Sequence, residues 1–204
     1  MKKTEEVFRE ILHKGIEEKK FNLTQSELSK KLGISLSIIN SAVKRLENMG
    51  AIKIKQREFQ IIDIRKILFH WASLRNIKQD IIFKARIEMP AREIERIMPD
   101  VTFTAFSAFK LMFDDVPADY SEVYVYASDN ELNDIKNRIS SLKFNENDIN
   151  SNFFVLKKDK NIDLYKSIPF SNLFVDLWNL KEWYAKDFLN ALENKLEINK
   201  EGAD

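Results

Sequence analysis

Residues 23–62 read LTQSELSKKLGISLSIINSAVKRLENMGAIKIKQREFQII, and the order of signals in this stretch decides the fold of the N-terminal part. It opens on Thr24-Gln25-Ser26-Glu27, the S/T-x-x-E form of a capping box, in which Thr24 accepts the amide hydrogen of the third helical residue and Glu27 reaches back to the cap. A short helix through Leu28 and Leu32 follows, and Gly33 then supplies a residue free to adopt positive φ at a tight inter-helix turn. A second helix starts near Ser35 or Ser37 and runs to Met49, where Gly50 stops it. Ile38, Ile39, Ala42, Val43 and Leu46 share one face of it, and Ser35, Ser37, Asn40, Ser41, Lys44 and Arg45 share the other. Past Gly50 the period changes: Ile52 and Ile54 alternate with Lys53 and Lys55, a polar turn spans 56–58, and Phe59-Gln60-Ile61 returns. Upstream, Val7, Ile11, Leu12 and Ile16 recur at helical spacing. Glu5, Glu6, Arg9, Glu10, Lys14, Glu17 and Glu18 are expected to form a charged face around that stripe.

Helix, short helix, glycine turn, helix and basic hairpin is the order of a winged helix-turn-helix. Residues 23–62 resemble that superfamily at Leu28, Ser29, Leu32, Gly33, Ile34, Ile39 and Val43. In such a fold the second helix lies in the DNA major groove, roughly 12 Å wide, with its N-terminal polar residues at the base edges. Ser37, Asn40, Ser41 and Lys44 are the candidate readers, Arg45 reaches a base or a phosphate, and Ser35 at the start of the helix is assigned to the same DNA-binding face. Lys53, Lys55 and Arg57 on the wing, with Lys30 and Lys31 at the end of the first short helix, are the candidate phosphate contacts. The alternative is a protein-interaction module whose lysines form a solvated face. Charge favours DNA: residues 1–99 hold 21 Lys+Arg against 13 Asp+Glu, whereas residues 100–204 hold 12 against 19. The formal net charge of +1 therefore conceals a basic half suited to a polyanion and an acidic half that is not.

Residues 64–83 read as one amphipathic helix, with Ile64, Ile67, Leu68, Trp71, Leu74, Ile77 and Ile81 on one side. That stripe either packs on its own domain or forms a homodimer seam; Trp71 and His70 suit an ordinary core edge and favour the first. Pro90 and Pro99 bracket a further helical piece. The expected organisation is a winged helix at 1–62, a helical connector at 63–99 and an α/β domain at 100–204, whose tail from Asn194 is polar and frayed.

In that last region strand and helix patterns alternate. Strands are expected at 101–103, 122–127 and 152–156, and helices at 105–113, 131–142 (capped by Asp129), from Ser171 towards Leu180, and at 182–196. The fold class is thus α+β, with a small C-terminal α/β layer. The strand EVYVYAS with its acidic-capped helix, the strand Asn152-Phe153-Phe154-Val155, and the segment Pro169-Phe170-Ser171-Asn172-Leu173-Phe174-Val175-Asp176-Leu177 resemble the AbiEi-type antitoxin family of transcriptional regulators. With the winged helix, the likeness spans roughly residues 5–196. It implies a repressor that binds operator repeats and a C-terminal domain that opposes a nucleotidyltransferase-type toxin.

Composition narrows the chemistry. The 204 residues contain no cysteine, two histidines (His13 and His70) and four glycines, which excludes thiolate metal sites and gives no support to a glycine-rich phosphate loop. No apolar run approaches the roughly 20 residues of a membrane span, and a soluble, cytoplasmic protein is expected. Asp114, Asp115 and Asp119, with Pro117 among them, fit a solvated turn better than a Mg²⁺ site. Asp176 interrupts an apolar run and is expected to be structural, paired with Lys181 or a backbone donor. Phe103, Phe106, Phe109 and Phe113 fit a core stripe, or less readily an effector pocket, while Trp178, Trp183 and Tyr184 are candidates for a partner surface. No catalytic residue, metal or cofactor is assigned. Two alternatives to the antitoxin reading stand: a one-component regulator whose second half senses a ligand, and a nucleic-acid-processing enzyme docked by its winged helix. An apolar pocket with convergent polar groups marks the first, and clustered carboxylates the second.

Overall fold

In the computed structural model, which describes residues 1–196, the capping box closes at Thr24: the Glu27 amide donates to Thr24 Oγ1 at 3.1 Å and the Thr24 amide to Glu27 Oε2 at 3.2 Å. The Thr24 amide holds the Glu27 carboxyl below its usual range. Helix α2 (Gln25–Leu32) ends on Gly33 at φ 61°, and Ser29 Oγ donates to the Ile34 carbonyl at 2.7 Å, bracing the turn into α3 (Leu36–Asn48). After Gly50, at φ 70°, strands β2 (Ile52–Ile54) and β3 (Phe59–Ile61) form the hairpin, and β1 (Asn22–Leu23) adds a third antiparallel strand in the order β1-β3-β2. Leu28, Leu32, Ile39, Ala42, Val43, Leu46, Ile52 and Phe59 are buried in the core that the stripe of α1 (Lys3–Ile16) completes, and α4 (Ile64–Leu74) packs on α1.

The charged face expected on α1 is not a solvated one. Glu5, Glu6, Arg9 and Glu10 are all buried, because α4 and residues 169–175 cover that side. Glu5 accepts from the Trp71 indole at 3.2 Å with the Arg75 guanidinium 3.9 Å away, Arg9 donates to Asn172 Oδ1 at 3.2 Å, and Glu10 pairs with Lys31 at 2.8 Å. The amide of Phe170 donates to Glu17 at 3.0 Å. Ile67, Leu68 and Trp71 are buried in the same unit, which removes them as a homodimer seam.

The chain divides into two compact units: Met1–Arg75 with Pro169–Val175 and residues 193–196, and Asn76–Ile168 with Asp176–Leu192. The division falls inside α8 (Phe170–Trp178). The expected connector at 63–99 is accordingly not one helical element. Helix α4 stops at Leu74, a 3₁₀ turn occupies Ile77–Asp80, and Ile81–Ile87 is strand β4. Ile77 and Ile81 matched a helical period by spacing alone. The β-branched, aromatic run Ile81-Ile82-Phe83 takes the extended form once partner strands are present.

The second unit is a five-stranded mixed sheet in the order β5-β6-β8-β4-β7, with β5 (Thr102–Thr104), β6 (Val123–Ala127), β7 (Phe144–Glu146) and β8 (Phe153–Lys157). The β6–β8 pair is parallel and the others antiparallel. One face (Phe83, Ala85, Ile87, Val123, Val125, Phe153, Val155) packs on α5 (Ala91–Ile97) and α7 (Asp129–Ile139). Ser128, rather than Asp129, caps α7. On the opposite face Phe106 of α6 (Ala105–Phe113) packs edge-on to Tyr124 and to Phe188 of α9 (Ala185–Lys195). Asn194 and Lys195 are thus helical, and residues 197–204 of the expected polar tail lie outside the described residues.

Asp176 is fully buried and accepts hydrogen bonds from Tyr126 Oη at 2.6 Å and Thr104 Oγ1 at 2.8 Å, and Lys181, one of the two kinds of partner expected, is not among its donors. It joins α8 to β5 and β6. Replacing it with Ala removes the acceptor shared by two buried hydroxyls and is expected to cost about 2–4 kcal/mol of stability, with Asn costing less because one acceptor remains. Thermal unfolding checks this; an unchanged midpoint, or lost DNA affinity in a still-folded variant, contradicts a purely structural role.

Candidate nucleic-acid interface

Helix α3 has 3.6 residues per turn like any other, so burying Ile39, Ala42, Val43 and Leu46 turns Ser37, Ser41 and Lys44 outward together. Asn40 is half-buried at one margin of this face and Arg45 is exposed at the other. Ile38, expected on the apolar face, is only half-buried. Ser35 is the N-cap residue, yet its hydroxyl makes no capping hydrogen bond. The first amides of α3 are therefore available to an anion at the positive end of the helix dipole.

The wing is tied to this helix by a contact that the pattern of residues did not reveal. Glu47 Oε1 accepts the Ile54 amide hydrogen at 3.3 Å, and the turn itself closes through the Lys55 amide and the Glu58 carbonyl at 2.8 Å. Lys53, Lys55 and Arg57 project from it into solvent, with Lys55 3.5 Å from Glu58. Among the described residues Lys30, Lys44, Arg45, Lys53 and Arg57 make no ion pair, so their charge is uncompensated within the fold. Asn48 is exposed one turn beyond Lys44 and extends the same face. Its i+4 spacing was the signal that identifies it.

Lys31 differs from its neighbour. Its ammonium lies against the buried Glu10 carboxylate, so the side chain serves to neutralise an interior charge and to hold α2 on α1. The interface that the fold assembles is then α3 with its open N-terminus, Lys30 and the basic wing. Burial also pushes the His70 imidazole down, aided by the nearby Arg45 charge, so this ring adds no cation to the face.

Residues 20–53 match the family model described as winged helix-turn-helix DNA-binding, which covers α2, α3 and the start of the wing. No curated protein and no solved structure matches the chain.

Five uncompensated cations predict strong salt dependence: log K against log salt should fall with a slope of about −4.5, at roughly −0.9 per phosphate neutralised. Lys30→Ala should shallow the slope by about 1 without changing stability, whereas Lys31→Ala should leave the slope and cost about 1–3 kcal/mol by removing the nearer cation from the buried Glu10 carboxylate, Lys14 lying 3.9 Å away. Gel-shift titrations at several salt concentrations, with thermal melts of each variant, separate the two; a flat salt response sinks the phosphate assignment.

Proposed function

We propose that this chain, which carries an N-terminal winged helix-turn-helix DNA-binding domain, is a transcriptional repressor of an antitoxin-like operon. The observation that carries the DNA half of this reading is the uncompensated basic face of α3 and the wing. The antitoxin half rests on the resemblance of residues 122–128, 152–155 and 169–177 to AbiEi-type regulators. Those segments form β6, β8 and α8 and supply the Tyr126–Asp176 contact, so the likeness lies in elements central to the fold. On this reading the chain acts by binding, without catalysis, in the cytoplasm, and a nucleotidyltransferase-type toxin is its partner. A repressor of operator repeats also calls for two winged helices on one DNA, supplied by a homodimer or by two chains side by side.

A second reading is favoured by one observation, a cavity of about 450 Å³ in the second unit lined by both apolar and cationic side chains. It makes the second half a ligand sensor in place of a toxin antagonist.

Footprinting on the DNA upstream of the chain's own gene should show protection of repeated sites. Growth of cells expressing an adjacent nucleotidyltransferase gene should be rescued by the full chain. Protection without rescue retains the repressor and removes the antitoxin; absence of both removes the reading altogether.

A further inference from the structure

Register places the floor of that cavity. Tyr124 of β6 pairs with Phe154 of β8, and Phe154 pairs in turn with Lys84 of β4, so the three side chains form a row across one face of the sheet. The Tyr124 and Phe154 rings stack at 4.6 Å and 9°. At the end of this row β4 carries an irregularity between Ile81 and Phe83, which leaves Ile82 as an extra, partly exposed residue on the rim. Such bulges re-aim side chains and recur beside binding sites.

Three lysines, Lys78, Lys84 and Lys181, line this cavity, the first and last of them exposed at its opening. Among the described residues none of the three makes an ion pair, and no acidic residue lines the space. Glu182, outside the lining, interacts with the Lys181 charge, so the uncompensated charge at the cavity is that of Lys78 and Lys84, which attracts an anion. Tyr124 is only 5% exposed, and its hydroxyl makes no hydrogen bond among the described residues. Burial, with the charges of Glu182 and Glu122, pushes the phenol far up, so it stays a neutral donor. The two carboxylates lie outside the lining. A volume of about 450 Å³ is that of a small-molecule site, with apolar walls and a few polar groups that fix orientation.

We propose that this cavity binds a small organic anion with an apolar body, a carboxylate whose head meets the lysines and Tyr124 Oη and whose hydrocarbon part rests on Phe154 and Ile82. The binding itself is independent of any role in DNA recognition; its consequence for DNA rests on the second reading above, and the two fail separately.

Calorimetric titration of the full chain with 2-naphthoate and with octanoate tests the site. At least one should bind saturably, about tenfold more tightly than its neutral amide, and more weakly as salt is raised. Lys84→Gln and Lys181→Gln should each weaken binding by about fivefold, and Tyr124→Phe by a similar factor, with thermal midpoints of the lysine variants unchanged. No saturable binding by either carboxylate overturns the proposal. So does equal affinity for the neutral amides, or equal affinity for inorganic phosphate, which has no apolar body. A gel shift with and without the bound carboxylate then asks the separate question: altered DNA affinity supports the sensor reading, and unaltered affinity removes that reading while leaving the site.

Discussion

Arg9 and Glu10 are both fully withdrawn from water on a helix whose spacing alone would leave them solvated, and the DNA-reading unit depends on how that is resolved. A buried charge without a partner is expensive by several kcal/mol, so each one on α1 demands a specific neighbour. Glu10 demands Lys31, which holds α2; Glu5 demands the Trp71 indole with Arg75 alongside, which holds α4; Arg9 engages Asn172, which recruits a segment 163 residues away. Apolar packing alone would tolerate these elements sliding on α1. The polar contacts select one arrangement, and with it the orientation in which α3 presents Ser37, Ser41 and Lys44.

A similar device appears in the second unit. The parallel pair β6–β8 is buried on both faces, which is why EVYVYA and NFFVL read as nearly continuous apolar runs. On the face that carries Tyr124 and Tyr126, the one carboxylate of an apolar helix gathers two hydroxyls from two strands. Further along the same face the row Tyr124, Phe154 and Lys84 leads into the cationic cavity. One sheet face therefore supplies a satisfied polar contact at one end and an unsatisfied one at the other.

The legible parts of the fold were those governed by short range. Thr24 to Glu27, Gly33, Gly50 and the Ile-Lys alternation of the wing all appear where their chemistry puts them. Helix α6 has the limits expected of it, and β6 and β8 differ from expectation by a residue. The exposed face of α3 was legible because an apolar stripe on a helix fixes the opposite side. Strand β4 was misread, since four-residue spacing of isoleucines fits a helix until partner strands exist. Strands β1 and β7 are two and three residues long and carry no period at all. Lys31 could not be told from Lys30, because its partner lies on the preceding helix, 21 residues back.

By itself, then, the sequence determined the capped helices, the glycine turn, the basic hairpin and which side chains of α3 are exposed. Caps, turns and periodicity act between residues a few positions apart, and those are printed in order along the chain. Tertiary structure alone decided which charges on α1 are interior and that Asp176 meets Tyr126 and Thr104. Each of these outcomes depends on desolvation, and the desolvation of a side chain is set by neighbours that the chain brings in from up to 163 residues away.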